Sequence, residues 1–264
     1  MAAMQGPTTG NVLLRRAQYR LADSAQSSAD LARFFIIGKI ANCRTVLLRQ
    51  ARSTEDSCLE EASAKLKYIL QRLSRPHNLD TARGMEGEAA HIYFEAFPLL
   101  IKKDYRASIR FEGRSRKPPL DEMNCLLSFF YALLANDIKS ALEGVGLDPA
   151  VGFLHRERPG RPSLALDVME EFRPYLADRL ALTLVNRQQI TASDFIRTEV
   201  GGFRLKDKAR KPLLTSWQER KREEVEHPFL KEKMTVGMLL HMQARLLARY
   251  VRGDMDAYPP FAMR

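Results

Sequence analysis

DEMNCLLSFFYALLANDIKSALEGVG, residues 121–146, decides the fold class. Apolar residues fill most of it, and glycine closes it. Its longest apolar run, LLSFFYALLA, is well short of the ~20 residues that cross a bilayer. The segment therefore reads as a helix buried in a protein core, and no membrane span is expected.

Working outward, the same helical spacing recurs. It appears in NVLLRRAQYRLAD from residue 11, and in SADLARFFIIGKIANCRTVLLRQAR from residue 28, where Ser28 is the expected N-cap. EDSCLEEASAKLKYILQRLSR follows and stops before Pro76, and LDTARGMEGEAAHIYFEAFPLLI spans 79–101. Downstream, a helix from Ser163 to about Arg187 is expected, then a charged helix opened by Trp217, then TVGMLLHMQARLLARYVRGD. GGFRLKDKARKPL predicts a short hairpin or extended segment near 203–214. No alternating-strand pattern, internal repeat or low-complexity linker interrupts the series. The expected architecture is a mainly α helical bundle over residues 11–254. Residues 1–10 are expected to be disordered or a residual linker, and 255–264 an irregular tail.

The chain of 264 residues carries 42 basic against 32 acidic residues, a formal net of +10. Such an excess favours a polyanionic partner. The charge is clustered in 102–119 (KKDYRASIRFEGRSRKPP), 155–161 (HRERPGR) and 204–222. The start has no apolar core with a cleavage site, so no signal peptide is read. Cys43, Cys58 and Cys125 are odd in number and lack metal-type spacing, which fits reduced thiols in the cytoplasm.

On the helix from Ser163, Leu164, Val168, Phe172, Tyr175 and Leu176 gather on one side at 100° per residue. Asp167, Glu170 and Asp178 gather on the other, with Glu171 at the margin. Alone, that reads first as an ordinary solvated acidic face. His155 adds a second donor type, one stiff proline-containing loop upstream. Imidazole with carboxylates can hold Mg²⁺ or Mn²⁺. Glu86, between Gly84 and Gly87, is a further candidate, its small neighbours allowing close approach of a backbone or a phosphate. A tight helix crossing explains those glycines as well. Glu88 and Glu95 read as surface acids, and His77, His91, His227 and His241 as core or surface residues. Arg156, Arg158 and Arg161 would repel a bare cation but suit a polyanion arriving beside it.

RGMEGEAAHIYF, PPLDEMNCLLSFFYALL, GLDPAVGFLH and PSLALDVMEEFRP, in that order, resemble the family of CRISPR-associated integrases that capture new spacers. NVLLRRAQYR, GKIANCRTVLLR and RGDMDAYPPF carry the likeness across nearly the whole chain, which looks most like the type I-C forms. The resemblance implies a metal-dependent DNA endonuclease and integrase, with this chain as the helical catalytic domain. It implies Glu86, His155 and Glu170 as ligands of Mg²⁺ or Mn²⁺, Asp167 in support, and Asn124 and Tyr131 as site walls contacting DNA. Loop residues Arg106, Arg110, Arg114, Arg116 and Lys117 are expected to clamp DNA backbone, and Arg158 and Arg161 to steady phosphate charge. The implied partners are DNA, a second copy of the chain and a small second CRISPR adaptation protein. The β-rich module that opens family members is not recognised here, which raises the alternative of a truncated, catalytically weak DNA-binding or assembly subunit. A helical scaffold without chemistry is the third possibility.

Overall fold

The computed structural model describes residues 11–263. The expectation for residues 1–10 lies outside them. Nine α-helices carry the fold among the described residues: α1 (Val12–Asp23), α2 (Ala25–Thr54), α3 (Ser57–Leu73), α4 (Leu79–Ala96), α5 (Glu122–Val145), α6 (Ser163–Phe172), α7 (Arg179–Asn186), α8 (Asp207–Arg222) and α9 (Val236–Val251). The mainly α reading of the sequence holds.

Side chains set most of the boundaries. Asn11, Ser24, Asp56, Asn78, Asp121 and Thr235 each accept a backbone N–H at the start of their helices. Such a cap contributes about 1 kcal/mol. The cap of α2 is therefore Ser24, not Ser28, because Ser28 lies one turn inside the helix and is buried. Gly146 ends α5 with φ 89°, a left-handed conformation that glycine adopts without strain.

α2 is the central pillar. Its 30 residues extend about 45 Å at 1.5 Å per residue. It packs on α3, α4 and α6, while α5 packs on α6 and α9. Gly38 lets α6 and the C-terminal tail come close, since a Cβ there would lie 2.9 Å from Glu171 Cγ and 3.3 Å from the Phe261 carbonyl. α5 is long and apolar enough to cross a membrane by length and composition, yet half of that apolar window is buried inside the bundle. A core role accounts for its composition.

Between α6 and α7 the chain widens into one π-helical segment, Arg173–Asp178, opened by Arg173-Pro174. Pro174 lacks the N–H of a regular helical bond, which favours a local change of winding. The helix still ends at Asn186, near the expected Arg187.

Two small antiparallel hairpins complete the fold, one of them overlapping the expected segment. β1 (Phe195–Arg197) pairs with β2 (Phe203–Leu205), so the hairpin lies upstream of most of the expected 203–214 segment. Residues 207–214 are helical instead, and Pro212 is absorbed inside α8. Trp217 does not open that helix. It is buried within it, stacks on Phe130 and donates from Nε1 to Asp137 Oδ2 at 2.9 Å. The second hairpin, β3 (Glu224–Glu226) with β4 (Lys233–Thr235), was not anticipated. The segment after α9 has no regular structure, as expected, but Tyr258 and Phe261 in it are buried.

Candidate metal centre

The acidic side of α6 is not solvated. Asp167, Glu170, Glu171 and Asp178 are all buried, as is the apolar side with Leu164, Val168 and Phe172. Buried carboxylates need partners, and each has its own set.

Asp167 organises the loop before its helix. Its Oδ2 accepts the N–H of Phe153 at 2.6 Å and of Leu154 at 3.0 Å. Its Oδ1 accepts the His155 N–H at 2.9 Å and pairs with His155 Nδ1 at 2.6 Å. The carboxylate is an acceptor, so the ring proton belongs on Nδ1, and Nε2 is left with its lone pair. That Nε2 stands 3.8 Å from Glu170 Oε1. Gly152 permits this packing, since a Cβ there would fall 2.8 Å from Ser163 and 2.9 Å from Asp167 Oδ2.

Two residues not singled out in the sequence pin the same loop. Gln18 of α1, fully buried, donates to the carbonyls of Asp148 and Val151 at 2.8 and 2.9 Å and accepts the Asp148 N–H. Arg83 of α4 donates to the Leu154 carbonyl from both Nε and Nη2, at 2.9 and 2.6 Å.

Glu170 and Glu86 meet across the interior at Lys39 of α2. The Lys39 ammonium pairs with Glu86 Oε1 and stands 2.8 Å from Glu170 Oε2. The second contact, an ion pair at charge-assisted hydrogen-bond distance, is what meets this buried oxygen. Glu170 Oε1 receives Arg173 Nη1 at 2.6 Å. Burial alone pushes the Glu170 carboxyl up, but the Arg173 and Lys39 cations outweigh it and hold it down at about 2. Burial likewise pulls the Lys39 ammonium down, and Glu170 and Glu86 reverse the effect and raise it.

The expected trio is thus gathered but not closed. Among the described residues, no group of three His, Cys, Asp or Glu side chains stands ready to hold one ion. Gly84 and Gly87 do not serve a helix crossing, since both are exposed and a Cβ on either would meet nothing within 4 Å. They keep the flank of Glu86 open.

Behind Arg173, Tyr131 donates its hydroxyl to Asp178 Oδ1 at 2.7 Å, and Tyr93 donates to Oδ2 at 3.1 Å. Burial pushes the Asp178 carboxyl up to about 6, against the pull of those hydroxyls and of Arg173. Arg173 and Arg114 both lie over the Tyr131 ring, at 4.8 and 5.2 Å.

This corrects the expectation for Tyr131, which is buried with its hydroxyl spent on Asp178, and for Asn124, which is fully buried. Asn124 accepts from Arg114 and the Ser115 N–H and donates to Gly113 O and Asp121 Oδ2, so it shapes the basic loop rather than touching a ligand. Arg106 also turns inward, onto the carbonyls of Ile101 and Leu99. Arg114 is occupied by Asn124 and by Ser115 and Ser128. Arg110 is exposed and 3.8 Å from Glu122. Arg116, Lys117 and Arg158 are exposed, and Arg161 is half-buried. A cleft of about 630 Å³, lined by Tyr19, Arg83, Phe153, His155, Arg156 and Glu157 among others, opens beside the histidine.

His227 is a satisfied core residue, buried against Gln243 at 3.2 Å, and Glu88 and Glu95 are exposed as read. Glu171 turns away from the trio. It accepts Tyr258 OH at 2.8 Å and the Phe261 N–H at 2.7 Å, tying the C-terminal tail to α6. Burial lifts its carboxyl to about 8 despite those bonds.

The family model described as CRISPR associated protein Cas1 matches residues 1–219. The chain is 57% identical over 268 residues to the CRISPR-associated endonuclease Cas1 1 of Chlorobaculum tepidum, spanning 100% of this chain and 78% of that protein. It is 44% identical over 253 residues to the CRISPR-associated endonuclease Cas1 of Leptospira interrogans, spanning 94% of this chain and 99% of that one. Among solved structures, a partial Cas6-RT-Cas1–Cas2 complex is similar with TM-score 0.83 at 25% identity, over 100% of this chain and 77% of the other.

Proposed function

The chain belongs to the Cas1 family of CRISPR-associated proteins, and from that premise we propose that it is a metal-dependent DNA endonuclease and integrase of spacer acquisition. The reaction joins the 3′-hydroxyl of a DNA fragment to a phosphodiester of the repeat. The new phosphorus–oxygen bond forms as the old one breaks, and the displaced oxygen leaves with its electron pair. With water in place of the hydroxyl, the same centre cleaves DNA.

The observation that carries the reading is the meeting of Glu86 and Glu170 on one buried ammonium, with His155 Nε2 3.8 Å from Glu170. Helices α2, α4 and α6 and one loop supply these groups, and a scaffold has no reason to spend so many elements on one polar point. Glu86, His155 and Glu170 would hold Mg²⁺ or Mn²⁺. The donor set fits a hard or borderline cation, and Glu170 Oε2 is a buried oxygen already facing a cation, the Lys39 ammonium at 2.8 Å. When bound, the ion supplies the charge that polarises the scissile phosphate and acidifies the attacking hydroxyl.

The chain's own residues do the rest. Asp167 holds the His155 proton at Nδ1 and so presents Nε2. Arg173 keeps Glu170 ionised although it is buried. The exposed Arg116, Lys117 and Arg158 meet phosphates without reading sequence, which makes binding salt-sensitive. On this reading residues 11–254 form the catalytic unit, working in the cytoplasm as a dimer with a small second adaptation protein. The structural likeness to a complex that contains Cas2 supports that partner.

The test is cleavage of branched DNA by the purified chain in Mn²⁺ or Mg²⁺. Glu86→Ala and His155→Ala should abolish cleavage and retain DNA binding. One observation favours a second reading: Lys39 stands between the two glutamates. If it never yields, the chain is a DNA-binding assembly subunit, and no divalent ion will elicit cleavage.

A further inference from the structure

We propose that Lys39 is a resident counter-cation, holding between Glu86 and Glu170 the place of a divalent ion and yielding it when the ion arrives. The inference rests on the metal centre proposed above and adds how that centre is kept assembled before it is loaded.

Lys39 sits in the middle of α2 with Ile36, Gly38, Ile40, Asn42 and Cys43 all buried around it. The lysine itself is 6% exposed. A buried lysine is costly unless its ammonium is paired. Here the pairing ties together two carboxylates from different helices, Glu86 of α4 and Glu170 of α6. Without the ammonium those like charges, Glu170 buried and Glu86 partly exposed, would face each other with no cation between them and push α4 and α6 apart.

Charge balance says which cation gives way. Glu86 and Glu170 carry two negative charges, and Lys39 and Arg173 carry two positive ones. These four groups balance one another, so an added divalent ion favours the retreat of one of the two cations. Arg173 is the more constrained of the two, its planar guanidinium over the Tyr131 ring at 4.8 Å and 2.6 Å from Glu170 Oε1. Lys39 ends a flexible four-carbon stem and holds Glu170 Oε2 as a point charge at 2.8 Å, with no planar fork to fix its orientation. Lys39 is therefore the group that moves, and metal affinity carries the cost of displacing it.

The test compares the full chain with Lys39→Met, an unbranched side chain without charge, by Mn²⁺ calorimetry and by thermal unfolding with and without chelator. The variant should unfold at lower temperature in chelator. It should bind Mn²⁺ about tenfold more tightly, because the occupied state no longer competes, and Mn²⁺ should raise its unfolding temperature more than that of wild type. Equal or weaker Mn²⁺ binding by a folded Lys39→Met protein overturns the proposal, since Lys39 then supports the ion instead of standing in for it. Should the variant not fold, wild type labelled with ¹⁵N-lysine gives the answer. A protected Lys39 ammonium resonance should shift or vanish on Mg²⁺ saturation, and one that stays unchanged overturns the exchange. If wild-type Mn²⁺ binding is indifferent to Glu86→Gln and His155→Gln, the metal centre itself is refuted, a result distinct from the other two.

Discussion

Asp167→Asn changes one atom of a side chain that carries no role as a ligand here, yet it should disable the histidine. Asp167 accepts four hydrogen bonds, two on each oxygen. Asparagine keeps one oxygen and replaces the other with a donor. If the NH₂ takes the Oδ2 place, two buried N–H groups, those of Phe153 and Leu154, lose their acceptor. If it takes the Oδ1 place, only the His155 N–H is orphaned, because the ring can respond by accepting at Nδ1. The second arrangement is the cheaper one, since each unsatisfied buried donor costs about 1–3 kcal/mol. It moves the ring proton to Nε2, the nitrogen facing Glu170. The expected results are a stability loss of about 1–3 kcal/mol, read as a fall of a few degrees in Tm, and a loss of Mn²⁺ affinity of roughly 10–100-fold. Thermal unfolding in chelator gives the first and calorimetric Mn²⁺ titration the second. A variant that is destabilised but binds Mn²⁺ within twofold of wild type would refute the reasoning, leaving Asp167 as a loop anchor only.

Other outcomes follow from neighbouring contacts. Glu171 is raised from its ordinary value to about 8, so the folded state holds that proton more tightly than the unfolded chain, and its stabilising effect at low pH is lost as pH rises through about 4.5 to 8. Glu171→Gln should match wild type in denaturant melts near pH 5 and exceed it by a few kcal/mol near pH 8, because each tenfold gain in proton affinity on folding is worth ~1.4 kcal/mol; equal curves at both pH values would show that Glu171 ionises freely. Arg116→Ala, Lys117→Ala and Arg158→Ala should each weaken DNA binding irrespective of sequence and lower the log–log salt slope by about 0.9 per phosphate contact, whereas an unchanged slope removes that residue from the interface. Gly38→Ala should cost about 1–3 kcal/mol by overpacking, since its Cβ would meet Glu171 Cγ at 2.9 Å and Pro260 Cβ at 3.1 Å; limited proteolysis should then cut the C-terminal tail sooner.

The helices were legible because their apolar periodicity and polar caps are local signals. His155, Glu170 and Glu86 could be singled out because donor types and motif order mark them, and the structure brings His155 and Glu86 to Glu170 from different elements. Lys39 was not, because its meaning lies in acids elsewhere in the chain, the first of them 47 residues on, and alone it reads as one cation in an apolar helix. Gln18 and Arg83 share that fate, since they act on the backbone of the histidine loop and not on a recognisable side chain. The charge of α6 misled in the opposite sense, because a wheel separates acids from apolar residues but cannot say that both sides are covered. α8 did carry a usable signal. Ala209, Leu213 and Trp217 are its buried residues, four apart, but Gly201, Gly202 and Pro212 outweighed that stripe in the sequence reading. The second hairpin escaped because three-residue strands are too short to show alternation. Asn124 and Tyr131 were expected to touch DNA, but packing spends their polar atoms inside the protein.

Anomalous diffraction from a crystal of this protein soaked in Mn²⁺ tests the central claim most directly. One peak is predicted, contacting Glu86, Glu170 and Nε2 of His155. Absence of any peak there at saturating Mn²⁺, or a peak on other residues alone, would contradict it.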